Sequence, residues 1–145
     1  MEYGSCISAA AALLFLAAAA YEDYKTQRIS LILVAAGAVI GILMMIVINE
    51  KTIMQILYGI LTGNAILLIG YASREAIGYG DGLIFIITGI FLGWVNNVLL
   101  IISSLLLAAV CSMILMLLRI KKRNDRIAFA PFVLGAYVLM TVVSI

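Results

Sequence analysis

Six apolar stretches fill nearly the whole chain, and short clusters of charge or polar residues separate them. They run Gly4 to Tyr21, Ser30 to Ile48, Ile53 to Ser73, Gly82 to Val95, Val98 to Leu118 and Ile127 to Ile145. At ~20 apolar residues per bilayer crossing, the pattern predicts an all-α membrane protein of six transmembrane helices in one bundle, a single domain over residues 1–145. A water-soluble domain of 145 residues that is 66% hydrophobic would leave too much apolar surface in water. The fourth stretch is short for a full crossing, so either it reaches only part of the way or the turn before it, Gly78 to Asp81, dips into the membrane with it and carries Asp81 to the lipid surface. The first stretch ends in a run of alanines, as a cleavable leader does, but its start holds Glu2 and no Lys or Arg, so it is expected to remain a span.

Charge sets the orientation. Lys25, Arg28, Arg74, Arg119, Lys121, Lys122, Arg123 and Arg126 fall in the turns after the first, third and fifth stretches, and Lys51 alone falls opposite. Basic loops stay in the cytosol, so both termini are expected to be extracytoplasmic, and Asp23 and Asp81 to face the cytosol. The basic run from Arg119 to Arg126 needs no role beyond anchoring that side at anionic lipid.

The chain has no histidine, and its two cysteines, Cys6 and Cys111, lie far apart within apolar stretches. Zinc sites of the Cys/His kind and hydrolases with a histidine base are thereby excluded. No metal, no cofactor and no nucleic-acid partner is expected. Polar residues within the stretches, Asn64, Thr62, Thr88, Ser103, Ser104 and Ser112, are expected to bond between helices or back to their own helix. The pairs Gly37/Gly41, Gly59/Gly63 and Gly89/Gly93 put two small residues on one helix face and are expected to let helices of the bundle approach closely.

Asp23 and Asp81 are the residues that carry chemistry. Each has a plain explanation: Asp81 as a helix N-cap, Asp23 as a loop carboxylate near Lys25 and Arg28. Together, at helix ends on one side, they are what an aspartyl protease needs: two carboxylates sharing a proton, one activating water and the other donating to the scissile carbonyl. The helix ends point to Asp81 as base and Asp23 as acid. Gly78 and Gly80 give the adjoining turn a backbone that a substrate strand can approach.

Gly78-Tyr79-Gly80-Asp81 resembles the GxGD signature of membrane aspartyl proteases, and Asp23-Tyr24-Lys25-Thr26-Gln27-Arg28-Ile29 resembles the first-aspartate segment of type IV prepilin peptidases. Leu92-Gly93-Trp94 and Ile127-Ala128-Phe129-Ala130-Pro131 are similar to two further strings of that family. The resemblance implies catalysis by Asp23 and Asp81, with Gly78, Gly80, Lys25, Arg28 and Pro131 shaping the site. It implies a substrate too: a prepilin or pilin-like precursor with a basic leader and an apolar N-terminal helix, cut at the cytosolic membrane face. Where the family usually has Pro-Asn this chain has Ser30-Leu31, and where it usually has lysine this chain has Leu83. The insertion with paired cysteines found in larger, methylating members is missing, so the short, peptidase-only form is implied. The alternative is a non-catalytic transport or pilus-assembly subunit. Oligomeric state is left open.

Overall fold

The computed structural model describes residues 2–48, 51–72, 78–118 and 128–143. They form five helices and, among the described residues, no strand: α1 Glu2–Thr26, α2 Leu31–Ile48, α3 Ile53–Ala72, α4 Tyr79–Leu117 and α5 Ala130–Val143. Four of these, α1 to α4, are long and apolar enough to cross a membrane, and α5 is a shorter apolar helix. The chain is thus a multi-pass membrane protein. Arg74 and the basic run from Arg119 to Arg126 lie outside the described residues.

Five helices stand where six were expected, because the fourth and fifth stretches form one element with no loop between them. Within α4 only Gly93 leaves helical geometry, with φ 75° and ψ 178°. That left-handed φ strains any side chain, which is why a glycine stands there. The consequence is a reversal. The Asn97 amide donates to the Phe85 carbonyl at 2.9 Å and accepts from the Thr88 hydroxyl at 2.7 Å. A straight helix would hold residues twelve and nine positions apart roughly 18 and 14 Å from each other. The arms 79–92 and 94–117 therefore fold back on one another.

Asn97 fastens this hairpin. Fully buried, its Nδ2 group shares two hydrogens among the Phe85 carbonyl, the Gly59 carbonyl and the Thr62 hydroxyl, so one side chain joins both arms to α3. Thr62 and Thr88, expected to bond between helices or back to their own helix, meet through it. Asn97→Leu leaves buried carbonyls and the Thr88 hydroxyl short of partners, which costs about 1–3 kcal/mol, and should lower the thermal unfolding midpoint of the protein in detergent.

α4 is the centre of the bundle and touches α1, α2, α3 and α5. Glycines set its closest contacts. A Cβ on Gly59 would overlap the Gly89 carbonyl, one on Gly63 would overlap the backbone at Ile86, and one on Gly41 would come within 2.8 Å of Ile90. The small-residue faces on α2 and α3 thus serve packing within the chain, as expected, whereas Gly93 of the third pair makes the turn. Around them Phe15 and Leu16 of α1, Ile84, Phe85, Ile87 and Leu100 of α4, and Val133 and Tyr137 of α5 build the core.

Candidate active site

At the end of the bundle away from Gly93, a cleft of about 800 Å³ opens between α1, the two arms of α4 and the start of α5. Asp23 and Asp81 both line it, although 58 positions separate them (81 − 23).

Asp23 reaches the cleft from the last turn of α1. Its neighbour Ala20 is in the core, and Asp23 itself is only 8% exposed. Helix α1 ends through Gln27, whose φ of 52° is left-handed and whose N–H bonds the Asp23 carbonyl at 2.8 Å, a single-bond C-cap that usually employs glycine. The Asp23 carboxylate accepts the Ala130 backbone N–H at 2.9 Å. This N–H belongs to the first turn of α5, where no carbonyl of the helix reaches it. Pro131, next in that turn, has no N–H to lose. The segment that is similar to a family string thus supplies the N–H on which Asp23 rests.

Asp81 is half-buried in the first turn of α4, which begins three residues before the expected stretch. It is not the N-cap. Gly78 holds that position, and Asp81 is the third residue within the helix. Its N–H bonds the Gly78 carbonyl at 3.1 Å and its carboxylate turns back to the Gly78 N–H, a reciprocal arrangement like that of a capping box. Both carboxylates thereby accept an N–H at the start of a helix, α5 for Asp23 and α4 for Asp81, so helix ends do not tell the two apart as base and acid. Their charges act on one another across the cleft.

The glycines of this turn are explained by space rather than by conformation. Gly78 has φ −63° and ψ 139°, open to any residue, but a Cβ there would lie 3.2 Å from the Asp81 carboxylate. On Gly80 it would lie 3.0 Å from Ile29. Gly78, Gly80 and Arg28 line the cleft. Lys25 and Pro131 do not; Lys25 holds its ammonium 6.0 Å from the centre of the Tyr21 ring. Ser30, a departure from the family string, caps α2: its hydroxyl accepts the Leu33 N–H at 3.3 Å, and its own N–H donates to Glu22 at 3.0 Å. A proline at 30 would have no such N–H.

Several cleft residues carried no chemical signature in the sequence. Leu83 and Phe85 of the first arm face Leu105 and Ala108 of the second, an apolar wall beside the two acids that Ser112 adjoins, and Phe129 closes it from the α5 side. The spacing of Leu105, Ala108 and Ser112 along one helical face was a signal available in the sequence. Among the described residues no cluster of three or more His, Cys, Asp or Glu could hold a metal ion.

No curated protein and no solved structure matches the chain. Among known families, residues 10–113 match the type IV leader peptidase family. The match spans more than half of the chain and takes in both aspartates and the whole first arm of α4, while the α5 segment that meets Asp23 lies beyond it. The chain belongs to the type IV leader peptidase family.

Proposed function

We propose that this chain is an aspartic endopeptidase that removes the basic leader of type IV pilin-like precursors at the cytosolic face of the cell membrane. One observation carries the proposal: two aspartates 58 positions apart share a single cleft, in a chain of a leader peptidase family. In this reading the arms of α4 cross the membrane as two passes. With α1, α2, α3 and α5 they give six, with both termini extracytoplasmic and the cleft at the basic, cytosolic side.

The chemistry follows from the pair. A water held between Asp23 and Asp81 loses a proton to the ionised carboxylate as its oxygen bonds to the scissile carbonyl carbon. The protonated carboxyl gives its proton to the carbonyl oxygen, so a neutral tetrahedral diol forms without a free oxyanion. Return of a proton to the amide nitrogen lets the C–N bond break, leaving the leader's new carboxyl terminus and the mature amino terminus. The apolar wall of Leu83, Phe85 and Leu105 suits the start of the precursor's apolar helix, and Arg28 and Gln27 stand at the exposed rim.

Co-expression with a pilin-like precursor tests this. The expected result is one shortened product whose new N-terminus, found by sequencing, lies between the basic leader and the apolar helix; an uncut precursor would contradict it. Leu83 bears on substrate choice. With leucine where the family usually has lysine, the described part of the cleft sets Arg28 alone against two acids. Leu83→Lys should raise kcat/KM for a peptide with glutamate after the cut, relative to its glutamine counterpart, by about tenfold, the equivalent of one favourable charge contact of ~1.4 kcal/mol. Competition between the two peptides measures it.

A further inference from the structure

Among the described residues α3 touches α4 and no other helix, through the side that holds Ile56, Gly59, Gly63 and Gly70. Its opposite side presents Met54, Leu57, Leu61, Asn64, Leu68 and Tyr71, all exposed. The steps between them are three, four, three, four and three residues. This is the 3.5-residue repeat of a seam that packs against a second helix at a shallow left-handed crossing.

Lipid satisfies the apolar members of such a seam as well as protein does. Asn64 is different. Its carboxamide, two N–H donors and one strong acceptor, stands near the middle of a 20-residue apolar helix and has no hydrogen-bond partner among the described residues. A polar group in hydrocarbon gains by bonding across a helix interface. We propose that this seam joins two copies of the chain, with Asn64 of each bonded to its own counterpart.

The membrane itself selects a second copy as occupant. Two chains inserted in the same direction are related by a two-fold axis along the bilayer normal. Their α3 helices then run parallel at equal depth, and a residue on the seam meets itself. A carboxamide is complementary to itself, each N–H donating to the other's carbonyl oxygen. A foreign helix would need a polar group at the same depth by coincidence. The seam also leaves the catalytic side free, since α3 gives only Ile66 to the cleft and no seam residue lines it. Both copies therefore keep an open site, and the dimer stands or falls apart from the peptidase reading.

The test uses the full chain in lipid vesicles, with Cys6→Ser and Cys111→Ser to remove the native thiols. Leu61→Cys should cross-link to a second copy efficiently, and Ile46→Cys, which is 70% exposed on α2, should not. By energy transfer between labelled copies at increasing lipid dilution, Asn64→Leu should weaken the dimer about tenfold, and Asn64→Gln should retain it. Asn64 bonds to nothing among the described residues, so in detergent dilute enough to hold both proteins as monomers the leucine variant should unfold at the wild-type temperature, which separates lost association from lost folding. The proposal is overturned if Leu61→Cys links no better than Ile46→Cys, if Asn64→Leu associates as tightly as wild type, or if Leu61→Cys links to a co-reconstituted precursor helix in preference to a second copy.

Discussion

Gly89→Val should be among the most damaging single substitutions in the transmembrane core, lowering the unfolding midpoint in detergent by roughly 6–12 °C. A Cβ at Gly89 would overlap the Gly59 carbonyl and lie 3.1 Å from the Asn97 amide. The obstacle is main chain, so no rotamer change relieves it. α3 must move off α4, and the hydrogen bonds of Asn97 to Gly59 and Thr62 go with it. Overpacking of this kind costs about 3 kcal/mol at the upper end of its usual range, a large share of a stability of ~5–15 kcal/mol, and each kcal/mol shifts the midpoint by about 2–4 °C. Gly59→Val meets the same wall from the other side and should behave alike. Gly135→Ala is the contrast. A Cβ there meets nothing within 4 Å, so the midpoint should hold or rise slightly on helix propensity. Equal midpoints for Gly89→Val and Gly135→Ala would mean that the α3–α4 contact is not as close as described.

Asp23→Asn and Asp81→Asn should each lower kcat/KM by about 10⁴-fold or more, the scale on which loss of one member of a catalytic unit is felt. Asparagine is the sharper substitution. Its carbonyl oxygen can still accept the Ala130 N–H at position 23, so the start of α5 keeps its partner, whereas alanine leaves that buried N–H bare. The double variant should be little worse than either single one, because a pair that shares one proton fails as a unit. Losses that multiply would show two carboxylates acting independently, and the shared-proton mechanism would be wrong.

The sequence made some of this legible for reasons specific to each residue. Asp23 and Asp81 stood out because ionisable groups are rare in apolar stretches, and both do line one cleft. The glycine pairs at 37/41 and 59/63 were readable as packing faces because small residues one turn apart have few other uses in lipid. The hairpin of α4 was harder. The apolar stretches part between Val95 and Val98, yet the turn is made at Gly93, and Asn97, between those bounds, lies fully buried as the residue that fastens it. Asn64, the amide that seemed set inside a span, lies on the exposed side of α3. Periodicity alone does not say which face of an apolar helix meets protein and which meets lipid, since both are apolar. The support of Asp23 was out of reach for another cause. It comes from a backbone N–H 107 positions away, and a main-chain group leaves no signature in residue identity.

The central claim is that Asp23 and Asp81 together cleave a peptide bond, and single-turnover cleavage by the purified protein in lipid vesicles tests it most directly. Wild type, Asp23→Asn and Asp81→Asn, each first shown to unfold at a similar temperature, are mixed with a pilin-like precursor. The mass of the released leader is then followed over time. Wild type should release one leader of defined mass while both variants leave the precursor intact. Release of the same leader at the wild-type rate by either variant would contradict the account.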